Sequence, residues 1–154
     1  MNNLNNKYTL YAHLPNDSNW DISSYKVITN INILEEMISL NENIPEDLIQ
    51  KCMFFLMKDN IKPMWEDENN KKGGSISYKI NNDIVYNIWK NLTYYLISDN
   101  IMENSDNITG ISISPKKNFC IIKLWLRDCN DITSESVNKE ISLSEVEPII
   151  RCHV

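Results

Sequence analysis

Lys62-Pro63-Met64-Trp65-Glu66-Asp67-Glu68-Asn69-Asn70-Lys71-Lys72-Gly73-Gly74 is the stretch on which the reading of this chain turns. It reads as an acidic turn that follows an apolar strand and is closed by a double glycine. Trp65 offers a flat π face, and Glu66, directly after it, offers two acceptor oxygens. A tryptophan beside a carboxylate suits a flat, positively charged ring that also carries N–H donors.

Working outward, residues 52–58 before the turn form a continuous apolar run, as in a central strand, and residues 75–80 after it alternate as a strand. Toward the N-terminus, residues 7–14 alternate with Tyr8, Leu10, Ala12 and Leu14 on one face. A polar turn at 15–19 leads to Trp20, and residues 24–29 make a short second strand. Asn32 with Glu35 three residues on resembles a capping box for a helix carrying Leu34, Met37, Ile38 and Asn41, with its exit at Pro45. Toward the C-terminus, Asp83 is placed to cap a long amphipathic helix with Ile84, Ile88, Leu92, Tyr95 and Leu96 on one side. Residues 110–114 and 119–126 suggest a hairpin across Pro115-Lys116-Lys117-Asn118. Residues 134–140 suggest one short helical piece, and 146–152 a last strand with Pro148 near its start. The expected fold is α+β: a single-layer antiparallel sheet of about seven or eight strands with two or three helices on one face. The expected organisation is a flexible N-terminus over 1–6 and a single domain over 7–154.

The 154 residues, 42% hydrophobic and 23% charged, suffice for one domain with a real core. No apolar run approaches the roughly 20 residues that span a membrane, and the N-terminus lacks the apolar core of a secretory signal. Cys52, Cys120, Cys129 and Cys152 form no CxxC pair, and only His13 and His153 accompany them. Free thiols packed as small hydrophobes are therefore expected, with no metal, cofactor or disulfide framework. The net charge of −6 argues against a protein that grips a long nucleic acid backbone. An RNA ligand should instead be held at a short feature by a pocket with few cations.

Four tryptophans bear on such a pocket. Trp89 sits at core spacing with Val85 and Leu92 and reads as structural. Trp20 and Trp65 lie in loops after strands, at what would be the same end of the sheet. Two facing indoles form a slot in which a cationic ring gains roughly 1–2 kcal/mol per face once desolvated. A carboxylate at Glu66 that accepts from N1–H and the N2 amino group of guanine adds a bidentate, charge-assisted pair, while adenine would leave it unpaired. These requirements describe 7-methylguanine.

The same segment, from Lys62 to Asn69 with Lys71 and Gly73-Gly74 behind it, closely resembles the signature of the cap-binding translation initiation factor 4E family. The likeness covers roughly residues 7–125. It implies a curved sheet with helices on the convex face and a cap pocket on the concave side. It implies that Trp20 and Trp65 sandwich the base, that Glu66 reads its edge and that Trp125 touches the N7-methyl group. The family's phosphate-binding arginine falls on Lys116, with Lys117 beside it, and a lysine lacks the arginine fork. A second family cation falls on Ile121. Lys123, two residues on and on the same strand face, is the expected substitute.

Other departures bear on partners. The resemblance places a partner surface on the back, at Leu34, Met37 and Ile38 of the first helix and Lys90, Asn91 and Tyr94 of the second. Ile38 stands where the family has a tryptophan, so an expected hot spot is missing. The third long family helix is reduced to about 134–140, and the loop that helps cover the cap is absent, so a more open pocket is expected. The asparagine-rich, altered chain suggests a divergent lineage, viral or parasitic. The leading expectation is a non-enzymatic cytoplasmic translation initiation factor that binds capped mRNA and a scaffold initiation factor, or a matched divergent partner. The alternative is a cap-binding repressor or decoy. A nucleotide or cap hydrolase fits less well, because no phosphate-gripping loop, paired-carboxylate metal motif or nucleophile–histidine pair is evident.

Overall fold

The computed structural model describes residues 2–141, 143 and 147–153. Its strands are β1 (Asn3–His13), β2 (Lys26–Ile33), β3 (Met53–Lys58), β4 (Gly74–Asn81), β5 (Ile108–Pro115), β6 (Phe119–Leu126) and β7 (Ile149–Cys152). Its helices are α1 (Leu34–Asn43), the one-turn α2 (Glu46–Ile49) and α3 (Val85–Ile97). The strands form one curved antiparallel sheet in the order β2-β1-β3-β5-β6-β4-β7. No helix among the described residues is long and apolar enough to cross a membrane.

The apolar run of β3 is buried on both faces, which explains its unbroken hydrophobicity. Phe54 and Leu56 join the main core beneath the helices, while Phe55 and Met57 join a smaller cluster with Ile61 and Trp125 on the other face. The main core holds the helix stripe Val85, Trp89, Leu92, Leu96 and Ile97 against Tyr8, Leu10, Ile111 and Ile113. Burying each such aliphatic side chain stabilises the fold by roughly 1.5–3 kcal/mol. A polar tie sits inside this layer: Asn41 of α1 donates to Thr93 of α3 at 2.9 Å, and Thr93 donates to the Lys90 carbonyl at 2.6 Å.

Several expected boundaries move, each for a local reason. β1 begins at Asn3, so residues 3–6 of the segment expected to be flexible are strand. Asn3 pairs with Ile33, Leu34 N–H donates to the Asn2 carbonyl at 2.9 Å, and Asn2 donates to Glu35. Glu35 is thereby engaged by the N-terminus, and Glu36 does the capping, accepting from the N–H groups of Asn32 and Ile33. The expected box has slid by one residue. Asp83 does not cap α3, whose N-cap position is Ile84. The stripe is rotated to match: Ile84 is 50% exposed, and the buried line runs through Val85 and Trp89. The piece expected at 134–140 is a single 3-10 turn, Ser134–Ser136, followed by a bridge between Met102 and Val137. The last strand starts at Ile149; Val146, where it was expected to begin, lies outside the described residues.

The expectation of free thiols holds for Cys52 and Cys120 but not for the other pair. Cys129 and Cys152 are joined in a disulfide that ties β7 to the loop after β6. β7 pairs with β4, which pairs with β6, so the sheet brings together two cysteines 23 residues apart. The double glycine lies at the same junction. A Cβ on Gly73 would stand 1.7 Å from the Leu126 carbonyl oxygen, and one on Gly74 would stand 2.1 Å from that of Arg151. Only glycine permits this approach of the neighbouring strands.

Candidate functional site

The loop 59–73 between β3 and β4 is shaped from within by two side chains. Asn70 is fully buried and donates to the Lys62 and Met64 carbonyls, while its Oδ1 accepts from Thr109 on β5 at 2.6 Å. Asp67 accepts from the N–H groups of Lys62 and Asn69 at 2.9 and 2.8 Å. Burial alone would raise its pKa, but those donors outweigh it and hold the carboxyl below its ordinary range. The acidic run is therefore not a uniform solvated face: Asp67 builds the loop. Glu66 accepts no hydrogen bond and makes no ion pair among the described residues, and Trp65 beside it is 54% exposed. A stiff frame thus presents an open indole and an uncommitted carboxylate.

Strand register places the rest. Ser75 of β4 pairs with Trp125 on one side and Arg151 on the other, so the three share a row on the concave face. The adjacent row is Lys123, Ser77 and Ile149. Trp65, Ser75, Lys123, Trp125 and His153 line one cavity of about 320 Å³, near the lower end of ordinary ligand pockets. Trp125 is 9% exposed and its indole N–H donates to Ser112 Oγ at 2.9 Å, which fixes the ring. Lys123 is exposed as a residue, but partial desolvation of its ammonium lowers its pKa, and the charges of Lys116 and Arg151 lower it further. Lys123 is the cation that lines the cavity, and the positive charges of Lys116 and Arg151 act on it, a field that an anionic ligand would relieve. Lys117 lies exposed in the β5–β6 turn, and no contact among the described residues ties it to this group.

Trp20 is not among the residues lining that cavity. Its indole stacks flat on His13, with centroids 4.0 Å apart and planes 3° from parallel. His13 is buried, with its ring nitrogens 2.8 Å from the Leu14 and Asn19 carbonyls, and so holds the loop closed. An aromatic chain leads from there across the concave face, Trp20 to Tyr25 to Phe55 to Trp125, with centroid spacings of 6.2, 5.4 and 6.3 Å. Burial raises the Tyr25 pKa, and the charge of Glu66 raises it further. His153, Arg151, Ser75 and His13 are the residues that sequence reasoning missed at this end. The parity of β7 with β4 was the signal for Arg151 and His153.

On the opposite face, Leu34, Asn91 and Tyr94 line a second cavity, of about 660 Å³, together with Asn2, Leu4 and Tyr95. Met37, expected on this surface, is 1% exposed and belongs to the core. Ile38 is 37% exposed but lies outside the cavity, and Lys90 caps the Tyr86 ring at 4.4 Å.

Residues 3–147 match the family model described as eukaryotic initiation factor 4E. The chain is 28% identical to eukaryotic translation initiation factor 4E of Candida albicans over 148 residues, 90% of this chain and 70% of that protein. It is 28% identical to the Saccharomyces cerevisiae protein over 131 residues, 80% and 61% of the two chains, and 25% identical to the human one over 134 residues, 83% and 62%. The chain thus spans six to seven tenths of these relatives' lengths. The fold is similar to Caenorhabditis elegans eIF4E-3 in its complex with the 4E-binding protein Mextli and a cap analog. That likeness has a TM-score of 0.85 at 24% identity and covers 99% of this chain and 92% of that one. It is also similar to Ascaris suum eIF4E-3 with m7G cap, with a TM-score of 0.76 at 22% identity over 97% of each chain.

Proposed function

We propose that this chain, which belongs to the eukaryotic initiation factor 4E family, binds the 7-methylguanosine cap of mRNA on its concave face without catalysing a reaction. The observation that carries this reading is the single cavity that holds Trp65, Trp125 and Lys123, with the uncommitted Glu66 beside Trp65. The base stacks on Trp65, and Glu66 accepts from its N1–H and N2 amino group. Trp125 abuts the N7-methyl group. Lys123, with Lys116, neutralises the phosphates, and Lys117 adds a weaker, screened attraction. Trp20 completes the sandwich by swinging from His13 to the open face of the base.

Translation initiation is the role that follows, with a scaffold factor docking on the helical face around Leu34, Asn91 and Tyr94. The exposed Ile38 in place of an aromatic anchor favours a second reading, a cap-binding repressor or decoy. Retention on 7-methyl-GTP resin, competed by 7-methyl-GTP and not by GTP, tests the site. Trp65→Ala and Glu66→Ala should each abolish retention, and full retention by both would sink the proposed pocket. Co-purification of a scaffold by wild type and its loss with Tyr94→Ala would favour initiation over sequestration.

A further inference from the structure

We propose that His153 is a ligand-binding residue of this pocket, its Nε2 accepting a hydrogen bond from the nucleoside end of the bound nucleotide, where the ribose hydroxyls and the amino hydrogen that Glu66 leaves free are the donors. The inference rests on the cap reading above. His153 follows β7, and its N–H donates to the Gly73 carbonyl at 2.8 Å, extending the β4–β7 ladder by one step. It lies two residues beyond Arg151 and so projects on the same face of the strand, the concave face of Trp125 and Lys123. It lines the cavity with them, and its ring centroid is 6.0 Å from that of Trp65 at an interplanar angle of 53°.

The imidazole is held by its other nitrogen. Nδ1 lies 2.8 Å from the Asn70 carbonyl oxygen, and a carbonyl only accepts, so Nδ1 carries the proton. Nε2 is left on the far edge of the ring with no partner among the described residues, an acceptor in the neutral form. Asn70 is also the buried side chain that shapes the Trp65 loop. The preceding residue, Cys152, is covalently joined to Cys129. His153 and Trp65 are therefore mounted on one frame, and such rigidity is characteristic of ligand groups rather than of a chain end.

Register also says which end of the ligand His153 meets. Rows on one face of a strand are two residues apart, roughly 6.8 Å. The order along the sheet is the Lys123 row, the Trp125 row, then the Gly73–His153 row. The phosphate cation and His153 lie on opposite sides of the methyl-facing tryptophan. His153 therefore contributes to holding the nucleoside and not to phosphate recognition.

The test measures affinities for 7-methyl-GTP and 7-methyl-GMP by tryptophan fluorescence, in wild type, His153→Asn, His153→Gln and Lys123→Ala. Asparagine keeps a donor for the Asn70 carbonyl and removes Nε2; glutamine returns a polar atom near the Nε2 position. The expected result is that His153→Asn weakens both ligands by the same factor, roughly fivefold for one neutral hydrogen bond. Glutamine recovers most of the loss, and Lys123→Ala penalises the triphosphate more than the monophosphate. Wild-type affinity in His153→Asn overturns the inference, as does a loss confined to the triphosphate. Equal losses in Asn and Gln with a matching fall in melting temperature also overturn it, because His153 is then structural. A wild type that binds neither nucleotide overturns the cap reading itself.

Discussion

The two faces of the sheet are built on opposite principles. The convex face is closed: Tyr8, Leu10, Trp89, Leu92 and Ile111 are each at most 2% exposed beneath the helices. The concave face has a small cluster around Phe55, Met57 and Ile61, and it leaves Trp65 54% and Trp20 46% exposed. Apolar area left in water forgoes roughly 25 cal/mol per Å². A ligand that covered the indoles would recover part of it. The convex face is closed by its own helices, and the concave face leaves two indoles open to solvent.

Two tryptophans break or uphold that contrast most directly. Trp89→Ala opens a cavity in the closed layer and should cost about 3–5 kcal/mol of stability, read by denaturant unfolding. Trp65→Ala should cost little stability yet reduce 7-methyl-GTP affinity roughly a hundredfold, as expected of an aromatic anchor. If Trp65→Ala unfolds the protein as readily as Trp89→Ala, the two faces do not divide the work.

The disulfide sharpens the same contrast with a smaller effect. It anchors the four-residue edge strand β7, which pairs with β4 and delivers Arg151 and His153 to the concave side. Closing a loop of this span contributes about 3 kcal/mol. Reduction with a dithiol, or Cys129→Ser with Cys152→Ser, should lower the melting temperature by roughly 5–10 °C. Cap affinity should fall with it, while amide protection in α3 and β3 persists below the new midpoint. Unchanged affinity after confirmed reduction would show that β7 does not need its anchor to serve the pocket.

The closed face was largely legible beforehand and the open one only in its centre. Alternation in β1 and β4, the apolar run of β3 and the spacing of Val85, Trp89 and Leu92 are local patterns that report burial directly. The Trp65–Glu66 loop was legible because its tryptophan, carboxylate and glycines are contiguous. Arg151 and His153 were not, because only the pairing of β7 with β4 puts them beside Trp125. The Cys129–Cys152 pair escaped for the same reason. The α1 cap was missed by one residue because Asn2, far away in sequence, takes up Glu35. Trp20 lies in the loop after β1, and no local pattern announces that His13 stacks on it.

The smallest expected effect tests whether the concave face gives up stability for binding at the level of a single charge. Partial desolvation of the Lys123 ammonium and the charges of Lys116 and Arg151 lower its pKa in the folded chain. Above the folded pKa and below the unfolded value of about 10.4, the unfolded state binds more protons, so stability rises with pH through that window. The charged ammonium therefore costs the unliganded fold something at neutral pH, and a phosphate beside it removes that cost. Lys123→Met keeps much of the stem and removes the charge. It should melt no lower than wild type without ligand, yet bind 7-methyl-GTP roughly fivefold more weakly, and its affinity should depend less on salt. A variant that loses stability and keeps both its triphosphate affinity and its salt dependence would place Lys123 among the residues that hold the sheet together.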